Sequence, residues 1–441
     1  MDFRVIDMLP GSGKTTGMIK YLGHTGIRFI YVTPYINGMD DIGTGIATNN
    51  TLTDLQQLAL ETGMYKREEL TGRVPKIPKR TFSKTADMLR LMMKEDNTII
   101  CTHQLFWQVT KHRKFWELAK RNGYVLVIDE EPTLFRDYNF CVDDIEAYLM
   151  GSIDGNEPIL LVDENGKLTW NTKKSKYSKG YFAPIKKEAR TGTLYLNGRK
   201  LRSKLPLDRF DAFPTIYLMT YRYEFSMFRV QWDKTWPDNP GVYWHFEGDE
   251  LVEGKSQMDR ERAENIKRRL QICTKEKNYP YGVGKKGHYT YSHEWYKKAT
   301  DKDFEEIVRC IQLYVKNRAT GKPVRLDRSK IIWTTFKDYK EKIVAADKGA
   351  DHFLQKGVDS FLPLNMRATN DYLDKNVAIF LVDRHLGSAE EGISGNEWAL
   401  SELLQFLFRT SLRLEDSEEK VYVWVPSERM RGLLVKWLEE L

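Results

Sequence analysis

The run Met8-Leu9-Pro10-Gly11-Ser12-Gly13-Lys14-Thr15-Thr16 restricts the fold of this 441-residue chain more than any other stretch. It follows Phe3-Arg4-Val5-Ile6-Asp7, a short β-type run, and precedes Gly17-Met18-Ile19-Lys20-Tyr21-Leu22, which reads as the first turns of a helix. Strand, glycine-rich turn and helix N-terminus together make a phosphate cradle. Gly11 and Gly13 let the backbone curl so that successive N–H groups point at one anion. The helix N-terminus adds its partial positive charge. Pro10, Gly11, Ser12, Gly13, Lys14, Thr15 and Thr16 are therefore the candidate nucleotide-binding residues. In this pattern Lys14 reaches the β- and γ-phosphates of ATP and the Thr15 hydroxyl holds a magnesium ion. The full pattern wants glycine at position 8, where this chain has Met8.

Three further apolar runs end in polar residues. Ile27 to Val32 stops at Thr33-Pro34-Tyr35, Asn97 to Cys101 stops at Thr102-His103, and Tyr124 to Ile128 runs into Asp129-Glu130-Glu131-Pro132. Helical segments are expected at Leu52–Thr62 and around Phe106 to Arg121, with a basic loop from Lys66 to Lys84. Apolar strands alternating with helices predict an α/β domain on a parallel sheet, whose ligands gather at the carboxyl ends of the strands. Thr33, Thr102 and Asp129 then fall on the side of the cradle. A strand delivering two carboxylates at its tip, downstream of such a cradle, predicts Asp129 on the magnesium through its water shell. Glu130 would orient or deprotonate the attacking water.

Residues 141–212 break the alternation. Two hairpins are expected there, turning at Asn165-Gly166 and Asn197-Gly198. Between them Lys173, Lys174, Lys176, Lys179, Lys186, Lys187 and Arg190 mingle with Tyr177, Tyr181 and Phe182. Such a composition suits either a nucleic-acid backbone or a solvated face. Residues 232–328, rich in tryptophan and tyrosine, read as an accessory subdomain whose aromatics form core. A second α/β unit follows at 329–441, with strands at Ile331–Phe336, Asn376–Val382 and Val421–Val425. It has an amphipathic helix from Glu397 to Arg413 and a last helix capped by Ser427. The first domain is thus 1–231, with its insertion at 141–212.

Composition sets the class. The net charge of +7 is compatible with a polyanionic partner. No apolar run approaches the roughly 20 residues that span a bilayer, and the N-terminus is a strand rather than a signal peptide. Cys101, Cys141, Cys273 and Cys310 are scattered, as expected of reduced thiols in a cytosolic protein without a zinc site.

Together these motifs resemble those of superfamily 2 helicases, in particular the DEAD-like helicases of bacteriophage and prophage genomes. Gly11-Ser12-Gly13-Lys14-Thr15 looks like motif I, Thr33-Pro34 like motif Ia, and Asp129-Glu130-Glu131-Pro132 stands where DEAD or DEAH boxes stand. Leu218-Met219-Thr220-Tyr221 sits at motif III, Trp333-Thr334-Thr335-Phe336-Lys337 at motif IV and Asn365–Asn370 at motif V. Motif VI, Q-x-x-G-R-x-x-R, is matched by Gln405 and Arg409. Phe408 stands at its glycine, and the second arginine falls one residue late at Arg413. On one helix 405, 409 and 413 share a face, so both arginines could enter one cleft.

The resemblance implies two RecA-like domains, ATP and Mg²⁺ as cofactors, and an arginine finger at Arg409. It implies DNA in preference to RNA as partner, with Thr33, Thr102, His103 and Thr335 as candidate backbone contacts. It further implies a monomer in the cytoplasm of a bacterial host, working beside replication or recombination proteins and engaging no membrane. An ATP-gated clamp that remodels nucleic acid without strand separation is the alternative the same motifs allow.

Overall fold

The computed structural model describes residues 1–25, 27–34, 78, 83–94, 98–138, 157–174, 179–198, 200–256, 260–273, 290–317, 326–348, 352–354, 360–364, 372–385 and 394–441. The expected helix at Leu52–Thr62, most of the loop from Lys66 to Lys84, Cys141, Lys176, Tyr177 and the Asn365–Asn370 motif lie outside the described residues.

The chain forms two α/β units, each on its own sheet. The first comprises Met1–Met8 and Gly13–Ser256; the bulk of the second is Gln257–Leu441. The first sheet has seven strands: β1 (Asp2–Asp7), β2 (Phe29–Thr33), β3 (Ile99–Thr102), β4 (Val125–Asp129), β10 (Thr215–Thr220), β11 (Val242–Glu247) and β12 (Glu250–Glu253). Their order across the sheet is β12-β11-β1-β10-β4-β2-β3. All neighbours pair in parallel except β12, which turns back on β11. The apolar runs have a simple physical origin. Alternate side chains of β4 point to opposite faces, Leu126 and Ile128 into one core cluster and Val125 and Val127 into the other. Both faces are covered, so strand residues on both must be apolar.

Helix α1 (Lys14–Thr25) follows the turn after β1. The run expected as one helix from Phe106 to Arg121 is two, His103–Val109 and Arg113–Arg121, separated by a turn at Thr110–His112. The Trp116 indole N–H fills the break by donating to the Thr110 carbonyl at 2.7 Å.

The insertion holds both expected hairpins. One is β6 (Leu160–Val162) with β7 (Leu168–Trp170); the other is β8 (Leu194–Asn197) with β9 (Lys200–Lys204). Strand β5 (Phe135–Tyr138) completes a three-stranded antiparallel sheet, β5-β9-β8, so the β-rich part begins before residue 141. Many of the lysines between the hairpins sit on or beside the helix Ala183–Thr191.

The second unit has four parallel strands, β13 (Leu270–Ile272), β14 (Ile331–Thr334), β15 (Val377–Phe380) and β16 (Val421–Trp424). They are ordered β13-β16-β15-β14. The stretch 232–328, expected as a separate subdomain, is divided between the units. Strands β11 and β12 extend the first sheet. Strand β13 edges the second, and helix Asp301–Asn317 packs its Phe304, Ile307 and Ile311 into the second core. Of the described aromatics of this stretch, Trp232, Tyr291 and Tyr296 are buried in core and Trp236, Trp244 and Trp295 are half-buried against it; Tyr279, Tyr281 and Tyr289 lie outside the described residues. The expected helix from Glu397 to Arg413 stops early, spanning Gly395–Leu407.

Candidate nucleotide site

Strand β1 ends at Asp7 and the chain turns through Gly11 and Gly13, whose φ angles of 91° and 75° lie in the left-handed region where a side chain is strained. The Gly17 amide then donates to the Gly13 carbonyl at 2.8 Å, starting α1. Lys14 lies at the helix start with its ammonium donating to the Met8 carbonyl at 2.6 Å. The Thr15 hydroxyl donates to Asp129 Oδ2 at 3.2 Å, across from the tip of β4. Thus three residues named from the sequence, Lys14, Thr15 and Asp129, converge at the carboxyl edge of one parallel sheet.

Two further side chains hold this arrangement: Tyr31, which the motifs did not name, and His103, expected as a backbone contact. The Tyr31 hydroxyl, from the buried strand β2, donates to the same Asp129 oxygen at 3.0 Å. His103 Nε2 lies 2.9 Å from the Asp129 carbonyl; a carbonyl only accepts, so Nε2 carries the proton there. The signal for Tyr31 was weak because it stands within an apolar run and differs from its neighbours by one hydroxyl. Burial, with Glu130 beside it, pushes the Asp129 carboxyl up to about 6, although Tyr31, Lys14 and Thr15 pull against the rise. Burial also raises Asp7 above its ordinary value despite its hydrogen bonds. Asp7 accepts from the Arg222 and Tyr223 amides at 2.7 and 3.0 Å, tying the cradle's entry strand to the turn after β10.

Strand β10 lies between β1 and β4, which places Leu218-Met219-Thr220-Tyr221 beside the carboxylates. The Thr220 hydroxyl donates to the Glu131 carboxylate at 3.2 Å, tying that side chain to β10. Glu130 takes a φ of 60°, rare for a residue with a side chain, while its amide continues the ladder to the Met219 carbonyl at 2.9 Å. The Thr102 hydroxyl accepts from the Leu105 amide at 3.1 Å and so caps a helix.

The residues present fit a nucleotide polyphosphate. A Cβ at Gly13 would meet nothing within 4 Å, and among the described residues the buried Ser12 hydroxyl in the same loop has no hydrogen-bond partner. Among the described residues no group of three His, Cys, Asp or Glu side chains could hold a metal alone. Magnesium bound by Thr15 and Asp129 would complete its shell with water and phosphate oxygens.

Gln405, Arg409 and Arg413 lie in the second unit, close in sequence but not on one helix. The helix ends at Leu407, Arg409 is buried in the turn beyond it, and Arg413 closes a short 3₁₀ turn, Ser411–Arg413. The shared helix face expected from the spacing is therefore absent. Two arginines of the helix Arg260–Arg269 hold the segment beyond the break. Arg269, fully buried, donates to the Ser411 and Leu414 carbonyls at 2.5 and 2.6 Å. Arg262 donates to those of Leu412 and Arg413 at 3.0 and 3.1 Å. The Ser411 carbonyl accepts the Leu414 amide as well, at 3.0 Å, closing the 3₁₀ turn.

Among the described residues no helix is long and apolar enough to cross a membrane. Cys101, Cys273 and Cys310 are buried, and burial pushes the Cys101 thiol up.

Residues 264–438 match a family model described as the YonV C-terminal Rossmann-like domain. Over 465 positions the chain is 27% identical to the SPbeta prophage-derived uncharacterized protein YonV of Bacillus subtilis (strain 168), covering 99% of this chain and 98% of that protein. Two solved structures described as XPD helicase and XPD apo are each 11% identical. The first has a TM-score of 0.42 and covers 100% of this chain and 94% of the other; the second has 0.41, with 99% and 95%.

Proposed function

We propose that this chain is an ATP hydrolase that drives movement on nucleic acid, with DNA the favoured track, in the manner of superfamily 2 helicases. The observation that carries this reading is the meeting of Lys14, Thr15 and Asp129 at the end of a glycine-rich cradle. In this reading the loop amides and Lys14 bind the β- and γ-phosphates. Thr15 and Asp129 hold the magnesium, which neutralises charge developing on the transferred phosphoryl. Tyr31 fixes the Asp129 carboxylate, and His103 fixes the peptide that leads to Glu130. Glu130 orients the attacking water. Arg409, with Arg413 close in sequence, supplies cationic charge to the γ-phosphate, and Gln405 completes the set.

The test is the steady-state ATPase rate without polymer and with single-stranded DNA, duplex DNA, forked DNA and RNA. Strong stimulation by one polymer is expected, and hydrolysis indifferent to all of them refutes the motor. Lys14→Ala should abolish turnover with the fold intact. Arg409→Ala should retain nucleotide binding while turnover falls by roughly 10³ or more; unchanged turnover would move the role to Arg413.

A further inference from the structure

The β5-β9-β8 sheet has two unlike faces. Its register places Phe135 opposite Lys204, Asp137 opposite Arg202, Tyr195 opposite Arg202 and Asn197 opposite Lys200, so these seven residues share one face. Leu194 and Leu201 point the other way into the insertion's own core, with Tyr138 and Leu196 packed against it. On that same inner side, Ser203 joins Glu188 and Lys111 in a buried polar network. The inner face is thus fully occupied, and the outer one carries the charge.

On the outer face Lys200, Arg202 and Lys204 recur at every second residue of the central strand, about 6.7 Å apart. That is close to the phosphate-to-phosphate step of an extended single strand. The cations are ordered by the rings beside them. Lys204 stands 4.0 Å from the Tyr195 ring centroid and 6.0 Å from that of Phe135, and Arg202 stands 5.0 Å from Phe135. Asp137 forms a two-pronged ion pair with Arg202, at 2.6 and 3.1 Å. It is the single carboxylate among the seven, set against three cations. Lys234, exposed on the neighbouring helix Met227–Thr235, adds a fourth positive charge. Burial lowers the Lys204 ammonium, and Arg202 and Lys234 lower it further. Crowding like charges costs stability, and a bound polyanion offsets that cost.

We propose that this outer face binds single-stranded nucleic acid, with Lys200 and Lys204 on the phosphates, Arg202 held between them by Asp137, and Phe135 and Tyr195 contacting bases. It deepens the motor reading, on which it rests for the presence of a polynucleotide. A single strand fits because the cations form one straight row with rings alongside, whereas a duplex presents two curved phosphate rows and shields its bases.

The full chain is titrated without nucleotide against labelled oligothymidylate, oligouridylate and a duplex of the same length, followed by fluorescence anisotropy between about 50 and 200 mM salt. The wild type should bind the single strands more tightly than the duplex. Lys200→Gln/Lys204→Gln should weaken binding and lower the slope of log affinity against log salt by about 1.4, from about 0.7 per lost phosphate contact. Lys114→Gln/Lys120→Gln removes the same charge from exposed positions of the helix Arg113–Arg121 and should leave affinity unchanged. Thermal melting of both double variants checks the fold. Equal binding by the two double variants overturns the proposal while leaving the motor reading intact. So does a duplex bound as tightly as the single strands. A wild type that binds no polynucleotide and whose ATPase ignores polymers overturns both.

Discussion

Replacing Asp129 by asparagine separates the stability cost of the candidate metal ligand from its chemical use. The carboxyl is raised from 3.8 to about 6, chiefly by burial and then by Glu130. Between those values the folded protein holds a proton that the unfolded chain has released. Unfolding therefore becomes easier as pH rises through this window. At about 1.4 kcal/mol per tenfold change in proton affinity, the full penalty is about 3 kcal/mol, reached above pH 6 and absent below about pH 4. The residue keeps some exposure at the strand tip, so solvent screening makes this an upper bound. A carboxamide at this position cannot ionise, and a fixed offset from changed hydrogen bonds to Tyr31 and Thr15 is independent of pH. Urea unfolding in EDTA, from about pH 4 to about pH 8, should thus show Asp129→Asn gaining on the wild type as pH rises, by as much as about 3 kcal/mol. Wild-type and variant profiles that stay parallel across the window would refute the reasoning.

Two packing predictions follow from the same unit. A Cβ at Gly17 would lie 2.8 Å from the Phe246 ring of β11, so Gly17→Ala should destabilise the first unit by about 1–3 kcal/mol in the same unfolding assay. Lys111 and Glu188 form an ion pair with both side chains nearly buried, and the Thr193 and Ser203 hydroxyls donate to the carboxylate at 2.7 Å. Lys111→Met leaves that carboxylate uncompensated and should cost about 3–5 kcal/mol. The double variant Lys111→Met/Glu188→Gln should recover part of the loss, measured as the coupling term of a double-mutant cycle.

Much of the architecture was legible because its signals are local. A strand buried on both faces must be apolar throughout, and Phe29–Thr33 and Val125–Ile128 announce themselves in that way. The Asn165-Gly166 and Asn197-Gly198 pairs sit where hairpins turn, and the Ser427 hydroxyl accepts from the Met430 amide at 3.2 Å at the start of the last helix. Strand β13 was not legible: it is three residues long, at a sheet edge, behind the charged sequence Arg260–Arg269. The second unit therefore begins earlier in the chain than its apolar runs suggest.

The candidate site divides along the same line. Glycines, Lys14, Thr15 and Asp129 lie in fixed local patterns, because a phosphate is held by consecutive backbone amides and the strand tip is a local feature. What tunes them is contact between distant residues. Asp7 owes its partners to the turn after β10, Asp129 its orientation to a hydroxyl on β2, and the stretch after Arg409 the partners of its carbonyls to guanidinium groups on another helix. The last case shows why spacing misled. Three residues at intervals of four share a face only while carbonyls bond along the helix. Here the Arg409 and Thr410 amides donate to the Phe406 and Leu407 carbonyls, three residues back, at 3.2 and 3.0 Å, and the helix ends at Leu407. Beyond that turn the carbonyls of Ser411, Leu412, Arg413 and Leu414 accept charge-assisted hydrogen bonds from Arg262 and Arg269. Arg409 therefore sits in a turn closed by its own neighbours, ahead of a segment held by side chains from another helix, and equal spacing in the sequence does not carry it onto the face of Gln405 and Arg413.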